Sequence, residues 1–214
     1  MKQDKKKLIQ IISKVAHDYE KYLNNKYFLI VFQEGRKNEY VQIGFRDMYF
    51  LHLTGVKTKL SAQRFYYACL HGKLAEKDVE FDRNGKVQQK LMVLPYLYDL
   101  LYHPCWIGDF VNNGVVIRSD YFIGDTKAVL CVGFKIGKSV DIPVTLYRED
   151  VRKMVQPVKK VLGIFAKHYK ETVYSKCAFL AKGHCIEEFK KLGDVEIGIT
   201  NNKEESHGKQ NHVT

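Results

Sequence analysis

The sequence YVQIGFRDMYFLHLTG, residues 40–55, changes its pattern midway, and this change indicates the fold class. Apolar and polar residues alternate from Tyr40 to Phe45, which is the pattern of a β-strand with one buried face. From Arg46 onward the alternation stops. We expect a short helix or helical turn that ends at Gly55, because glycine readily adopts the left-handed conformation that closes a helix. A strand is therefore followed directly by a helical layer.

The segments on either side of this stretch extend both layers. The residues before position 105 predict an amphipathic helix over 7–23, a first hairpin strand over 27–32 with its turn at 35–38, a helix over 61–74 capped by Ser61, and a helix over 86–102 that Pro95 should kink or split. The later residues predict strands over 115–122, 128–136 and 142–147, a polar and helical stretch over 148–156, a closing hairpin over 159–169 and 172–180, and a last short helix over 184–192. For 158–170 a helix is the alternative.

This order of elements predicts an α+β fold, with N-terminal helices packed on a mainly antiparallel twisted sheet. We expect one domain over residues 1–183, followed by a short helix and extension over 184–200. Residues 201–214 are polar and poor in apolar side chains, so we expect a disordered tail there.

The formal net charge of +11 favours a polyanionic partner, with nucleic acid ahead of an anionic membrane surface. A basic protein without such a partner is the alternative. The five cysteines are scattered and contain no Cys-x-x-Cys pair, which favours buried thiols in a reducing cytosol over a disulfide framework. The sequence also lacks a signal-peptide core and an apolar run long enough to span a membrane, so we expect a cytoplasmic protein.

Motifs for phosphate-binding loops, serine-hydrolase elbows and zinc peptidases are absent from the sequence. Four potential metal ligands occur late in the chain, namely His168, Cys177, His184 and Cys185, but they lack the spacing of a zinc site. We therefore expect neither a metal nor a cofactor.

RNA cleavage without a metal needs few protein groups, because the RNA supplies its own 2′-hydroxyl nucleophile. It requires general acid–base groups and cations or hydroxyls that stabilise the phosphorane charge. The candidates for these roles are His52, Thr54, Thr145, Lys167 and Ser175. Each also has a structural interpretation: a histidine between leucines can be a core residue, Lys167 a solvated strand residue, and the hydroxyls ordinary sheet residues.

Basic residues interleaved with aromatic ones suit splayed single-stranded bases and their phosphates. The candidates for nucleic-acid contacts are Arg46, Arg64, Tyr67, Arg118 and Tyr147. Tyrosines that fill strand faces and arginines that decorate them are the alternative.

Three segments carry a resemblance to a known family: FLHLTG at 50–55, IPVTLY at 142–147, and the hairpin formed by VLGIFAK at 161–167 and TVYS at 172–175. On these segments the chain resembles the phage-associated BECR nucleases, which comprise barnase-, EndoU-, colicin- and RelE-like RNases. The subgroup in question has a His-Leu-Thr-Gly-like motif after its first hairpin.

The resemblance implies a BECR or barnase-like fold and a metal-independent endoribonuclease from a phage or mobile-element context, with a toxin-like role. It implies that His52 acts as acid or base, and that Lys167, Thr145 and Ser175 complete the site. RNA is the implied substrate, and a protein inhibitor or antitoxin is an implied partner. Two other hypotheses stay open: a non-catalytic nucleic-acid-binding accessory protein, and a protein-interaction module that uses the helices of residues 61–102.

Overall fold

The computed structural model describes residues 2–81, 85–111, 118–126, 129–190 and 192–199. The α-helices of these ranges are α1 (Lys2–Tyr22), α2 (Phe50–Thr54), α3 (Ala62–Leu70) and α4 (Lys86–Val93). The strands are β1 (Lys26–Glu34), β2 (Lys37–Phe45), β3 (Lys57–Thr58), β4 (Val79–Glu80), β5 (Trp106–Asp109), β6 (Tyr121–Gly124), β7 (Cys131–Lys135), β8 (Ile142–Tyr147), β9 (Lys159–His168) and β10 (Lys176–Leu180). Within the described ranges, none of the helices has the length and apolarity needed to cross a membrane.

The main sheet has the order β2-β1-β9-β5-β6-β7-β8, with β10 paired to β9 beside this path. Each of these pairs is antiparallel. The sheet curls until its two edge strands touch at one point, where Ile43 and Asp141 form a parallel bridge. There the Gly44 N–H donates to the Asp141 carbonyl at 2.9 Å, and the Asp141 N–H donates to the Gln42 carbonyl at 2.7 Å.

The four helices cover the inner side of this curled sheet, and Tyr19 of α1 is central to the contact. Its ring is fully buried and lies 5.0 Å from the ring of Phe50, 5.7 Å from Tyr66 and 6.0 Å from Phe45. Its hydroxyl donates to the Arg46 carbonyl at 2.9 Å, and burial raises the pKa of this hydroxyl well above its usual value. Tyr19 therefore fixes both ends of the segment that connects β2 to α2.

The outer side of β1 and β9 has a smaller core of its own. Its buried residues are Leu29, Val31, Leu162, Phe165, Tyr174, Phe189, Leu192 and Ile197. The last three come from the segment after position 183, which therefore packs onto the sheet. The Tyr174 N–H donates to the Glu196 carbonyl at 2.9 Å, and this bond ties the same segment to the hairpin.

The α+β prediction is confirmed, as are the first hairpin, the strand over 142–147 and the closing hairpin, so the helical alternative for 158–170 is wrong. The predicted helix over 86–102 breaks after Val93 into 3₁₀ turns around Pro95. No strand was assigned to the residues of β5, although the composition becomes β-like from Ile107 onward. The expected helix over 184–192 is only a 3₁₀ turn, Ile186–Phe189. Of the strand expected over 115–122, residues 115–117 lie outside the described ranges, as does the tail over 201–214.

Candidate active site

The His52 segment has the predicted form, a short helix closed by glycine. Phe50 and Leu53 are fully buried and anchor α2 in the core, whereas the His52 side chain is exposed. Gly55 follows with φ at +70°, the left-handed conformation that ends the helix. The local sequence thus presents an imidazole to solvent from a rigidly anchored turn.

Thr54 has a structural role inside this turn. Its side chain is fully buried, its hydroxyl donates to the Leu51 carbonyl at 2.7 Å, and its oxygen accepts from the Val56 N–H at 3.2 Å. Both of its hydrogen-bonding functions are therefore satisfied within the turn. This placement removes Thr54 from the candidate groups that can contact a substrate.

Lys90 of α4 lies beside the end of α2, and it is not among the residues predicted from the sequence. Its aliphatic stem passes over Gly55, so that a Cβ at position 55 would lie 2.9 Å from Lys90 Cδ. Its ammonium Nζ lies 3.3 Å from the Thr145 hydroxyl and 5.8 Å from the centroid of the Tyr147 ring. Burial lowers the pKa of this ammonium.

A sequence signal for Lys90 does exist. Buried Val87 and Leu91 flank it on the apolar face of α4, so a lysine at position 90 stands at the border of that face. The aliphatic part of such a lysine packs on the hydrophobic core, and its ammonium lies at the border between the core and solvent.

Thr145 and Tyr147 lie beside the Lys90 ammonium because their strand, β8, is an edge strand of the sheet. Helices α2 and α4 contact β8 and each other, and so enclose the Lys90 ammonium between three elements. We call this arrangement the α2–α4–β8 corner, defined by Gly55, Lys90, Thr145 and Tyr147. It combines a partly desolvated ammonium, a hydroxyl and an aromatic ring, beside the short helix that carries the exposed His52.

Lys167 has partners elsewhere. Its ammonium donates to the Thr172 carbonyl at 2.9 Å and lies 4.5 Å from the centroid of the Tyr174 ring. Tyr174 belongs to the outer core of the sheet, whereas Phe50 and Leu53 of α2 belong to the inner core. The structure therefore does not bring Lys167 to the corner, because its side chain projects from the other face of the sheet. Ser175 is exposed just before β10.

The residues predicted to contact nucleic acid are dispersed. Arg46 lies before α2 and stacks on Tyr169, with its Cζ 4.4 Å from the ring centroid. Arg64 and Arg118 are exposed, and Tyr67 of α3 is half exposed. Of the predicted set, Tyr147 is the member that lies in the corner.

Metal ligands do not assemble in the described ranges. No group of three or more His, Cys, Asp or Glu side chains there is placed to hold a metal ion. The described cysteines are all free, and three of them are buried, namely Cys69, Cys105 and Cys131. Burial raises the pKa of Cys69 to about 12, so this thiol stays protonated at neutral pH.

Comparison with known protein families gives a match over most of the chain. The family described as phage-Barnase-EndoU-ColicinE5/D-RelE like nuclease4 matches residues 11–183. This range contains the whole main sheet, helices α2, α3 and α4, and all of α1 except its first residues. No curated protein and no solved structure matches the chain. The match extends from within α1 to the end of the closing hairpin, and the α2–α4–β8 corner lies inside it. The chain therefore belongs to the phage-Barnase-EndoU-ColicinE5/D-RelE like nuclease4 family.

Proposed function

We propose that this protein is an endoribonuclease that cleaves RNA through the 2′-hydroxyl, without a metal, at the α2–α4–β8 corner. The observation that carries the proposal is the pairing of the Lys90 ammonium with the Thr145 hydroxyl at 3.3 Å, above the turn that presents His52. Membership of a nuclease family and the net charge of +11 support a nucleic-acid substrate.

The reaction needs a proton acceptor for the 2′-hydroxyl, and His52 suits this role. Its side chain is exposed, and neutral imidazole is a competent base near neutral pH. The 2′-oxygen then attacks the adjacent phosphorus, the bond from phosphorus to the 5′-oxygen breaks, and the products carry a 2′,3′-cyclic phosphate and a 5′-hydroxyl.

Lys90 suits the other half of the reaction. Its ammonium can neutralise the charge that develops on the phosphoryl oxygens, and partial burial strengthens that interaction. Because burial also lowers its pKa, Lys90 gives up a proton to the leaving 5′-oxygen more readily than an ordinary lysine. The Thr145 hydroxyl holds the ammonium in position, and the Tyr147 ring offers a surface against which a base can stack.

The test is cleavage of a labelled single-stranded RNA by purified protein in the presence of a chelator. We expect wild type to produce 2′,3′-cyclic phosphate ends, and to leave intact an oligonucleotide with 2′-deoxyribose at every position. His52→Ala and Lys90→Met should each reduce the rate by roughly 10²–10⁴-fold, the usual contribution of a general acid or base. His17→Ala removes an exposed histidine from α1 and should leave the rate unchanged.

Equal rates for wild type and His52→Ala would contradict the proposal, as would cleavage of the all-deoxy oligonucleotide. Salt-dependent binding without any turnover would favour the non-catalytic nucleic-acid-binding protein instead.

A further inference from the structure

Within the described ranges, the guanidinium of Arg46 is held in place without an acidic partner. Its Cζ lies 4.4 Å from the centroid of the Tyr169 ring, a close cation–π stack. Its Nε is buried and has no hydrogen-bond acceptor among the described residues, and none of their carboxylates forms an ion pair with it. A buried donor without an acceptor is costly, so the fold leaves the hydrogen-bonding capacity of this guanidinium unused.

The main chain, and not the guanidinium, anchors this residue in the fold. The Arg46 carbonyl accepts from the Tyr19 hydroxyl at 2.9 Å and from the Tyr49 N–H at 3.0 Å. The Tyr169 N–H donates to the Asn25 carbonyl at 3.0 Å. Main-chain hydrogen bonds therefore position both residues of the stack, and the guanidinium is not needed for this anchoring.

One hydroxyl and one further ammonium lie near the stack. Burial raises the pKa of the Tyr49 hydroxyl, and the nearby Arg46 guanidinium partly opposes this rise. Tyr49 therefore stays protonated at neutral pH and can donate a hydrogen bond. The Lys170 ammonium lies 5.8 Å from the centroid of the same Tyr169 ring and adds a second positive charge.

We propose that Arg46, stacked on Tyr169 and assisted by Tyr49, forms a phosphate subsite for the RNA strand, separate from the scissile phosphate. A planar guanidinium presents parallel N–H donors that match two phosphate oxygens, and stacking on an aromatic ring leaves this edge free. The subsite rests on the proposed ribonuclease function for its ligand.

The subsite and the cleavage site are joined by a short rigid segment. Arg46 and His52 flank a 3₁₀ turn, Asp47–Tyr49, and the start of α2. At a rise of about 1.5–2 Å per residue, six residues span roughly 10 Å. A dinucleotide carries one phosphate, which is the scissile one, whereas a longer strand also carries neighbouring phosphates that can extend toward Arg46. A dinucleotide that fills the cleavage site therefore cannot reach Arg46.

The first test measures binding of a twelve-nucleotide, fully 2′-O-methylated RNA, which cannot be cleaved through the 2′-hydroxyl. One phosphate contact on a single strand contributes about 0.7 to the slope of log K against log salt. Arg46→Ala should lower the magnitude of this slope by about 0.7 and weaken binding about tenfold at low salt. The control Arg36→Ala removes an equal charge from the exposed β1–β2 turn and should change neither quantity measurably.

The second test compares substrates of different length. We expect Arg46→Ala to raise KM about tenfold for a twelve-nucleotide RNA and to leave kcat/KM for a dinucleotide unchanged. Tyr169→Leu should behave like Arg46→Ala because it removes the stack, whereas Tyr169→Phe retains the ring and should behave like wild type. Thermal unfolding of each variant checks that the fold is intact, which the main-chain anchoring leads us to expect.

The two proposals fail separately. If wild type cleaves no RNA, the ribonuclease proposal fails, and the binding measurement on the 2′-O-methyl RNA still decides the subsite. If Arg46→Ala and Arg36→Ala bind with the same slope and affinity, the subsite is refuted whatever the cleavage result. An equal loss on the dinucleotide and the long RNA would also refute it, because Arg46 would then act at the cleavage site.

Discussion

Replacing Gly55 with alanine perturbs the candidate site through a single methyl group. Gly55 has φ at +70°, and a Cβ there would lie 2.9 Å from Lys90 Cδ, 3.5 Å from Cε and 3.6 Å from Nζ. The first distance is below van der Waals contact, so the lysine stem must move by several tenths of an ångström. The backbone of α2 is fixed by buried Phe50 and Leu53, so the displacement falls on Lys90.

Two effects of different size follow from Gly55→Ala. Holding an alanine in the left-handed conformation costs about 1–2 kcal/mol of folding free energy. The bond from Lys90 Nζ to Thr145 Oγ1 is already 3.3 Å long, so a shift of several tenths of an ångström takes it beyond hydrogen-bonding distance. We expect kcat/KM for RNA cleavage to fall about tenfold, because small misplacements of catalytic groups reduce rates strongly.

Gly35→Ala is the matched control for this substitution. Gly35 also has a left-handed φ, at +61°, but a Cβ there would meet nothing within 4 Å. Urea unfolding should therefore show a similar loss of stability for both variants, and RNA cleavage should fall only for Gly55→Ala. If Gly55→Ala loses stability but retains full activity, the position of Lys90 does not matter for the reaction and the proposed site is refuted.

Three further predictions concern other parts of the molecule. Burial lowers the pKa of Lys90, so the folded chain binds fewer protons than the unfolded chain above that pKa, and its stability rises with pH. Lys90→Met should therefore raise Tm at pH 7, and the rise in Tm should become smaller toward pH 10, while the cleavage rate falls by roughly 10²–10⁴-fold. Tyr66→Phe removes a 2.5 Å hydrogen bond to the Glu20 carboxylate and should cost about 1.5–3 kcal/mol in urea unfolding, with cleavage unchanged. Phe189→Ala empties a fully buried position, 5.9 Å from the Phe165 ring, and should cost about 3–5 kcal/mol in the same assay.

Much of the fold was predictable because its signals are local. The Ser61 hydroxyl accepts from the Arg64 N–H and begins α3, as expected of a helix cap. Gly55 closes α2, and Pro95 ends α4 where its missing N–H would interrupt the helix. Strand β5 was missed because its four residues, Trp106–Asp109, contain adjacent Gly108 and Asp109 and show no alternation.

The site was harder to predict because its contacts are not local. Lys90 and Thr145 are 55 positions apart, and only the packing of α4 against an edge strand brings them together. Lys167 was the lysine predicted for the site from the sequence. The face of the sheet from which its side chain projects depends on the register of β9 against β1, and this register shifts between Val31 and Phe32. A shift of one residue moves every side chain of a strand to the other face. The alternation of apolar and polar residues alone therefore could not assign Lys167 to one face of the sheet.

The position of the corner follows from the way the sheet closes. Strand β2 ends at Phe45, and the parallel bridge from Ile43 to Asp141 is the described contact between the two edge strands. Strand β8 continues beyond this bridge, so its later residues present an edge without a neighbouring strand, which proteins commonly cover with a helix. In this protein α2 and α4 cover the free edge of β8, and polar side chains lie where the helices meet the strand. Lys90 and Thr145 meet there because the sheet closes at a single bridge and leaves the rest of the β8 edge to be covered by helices.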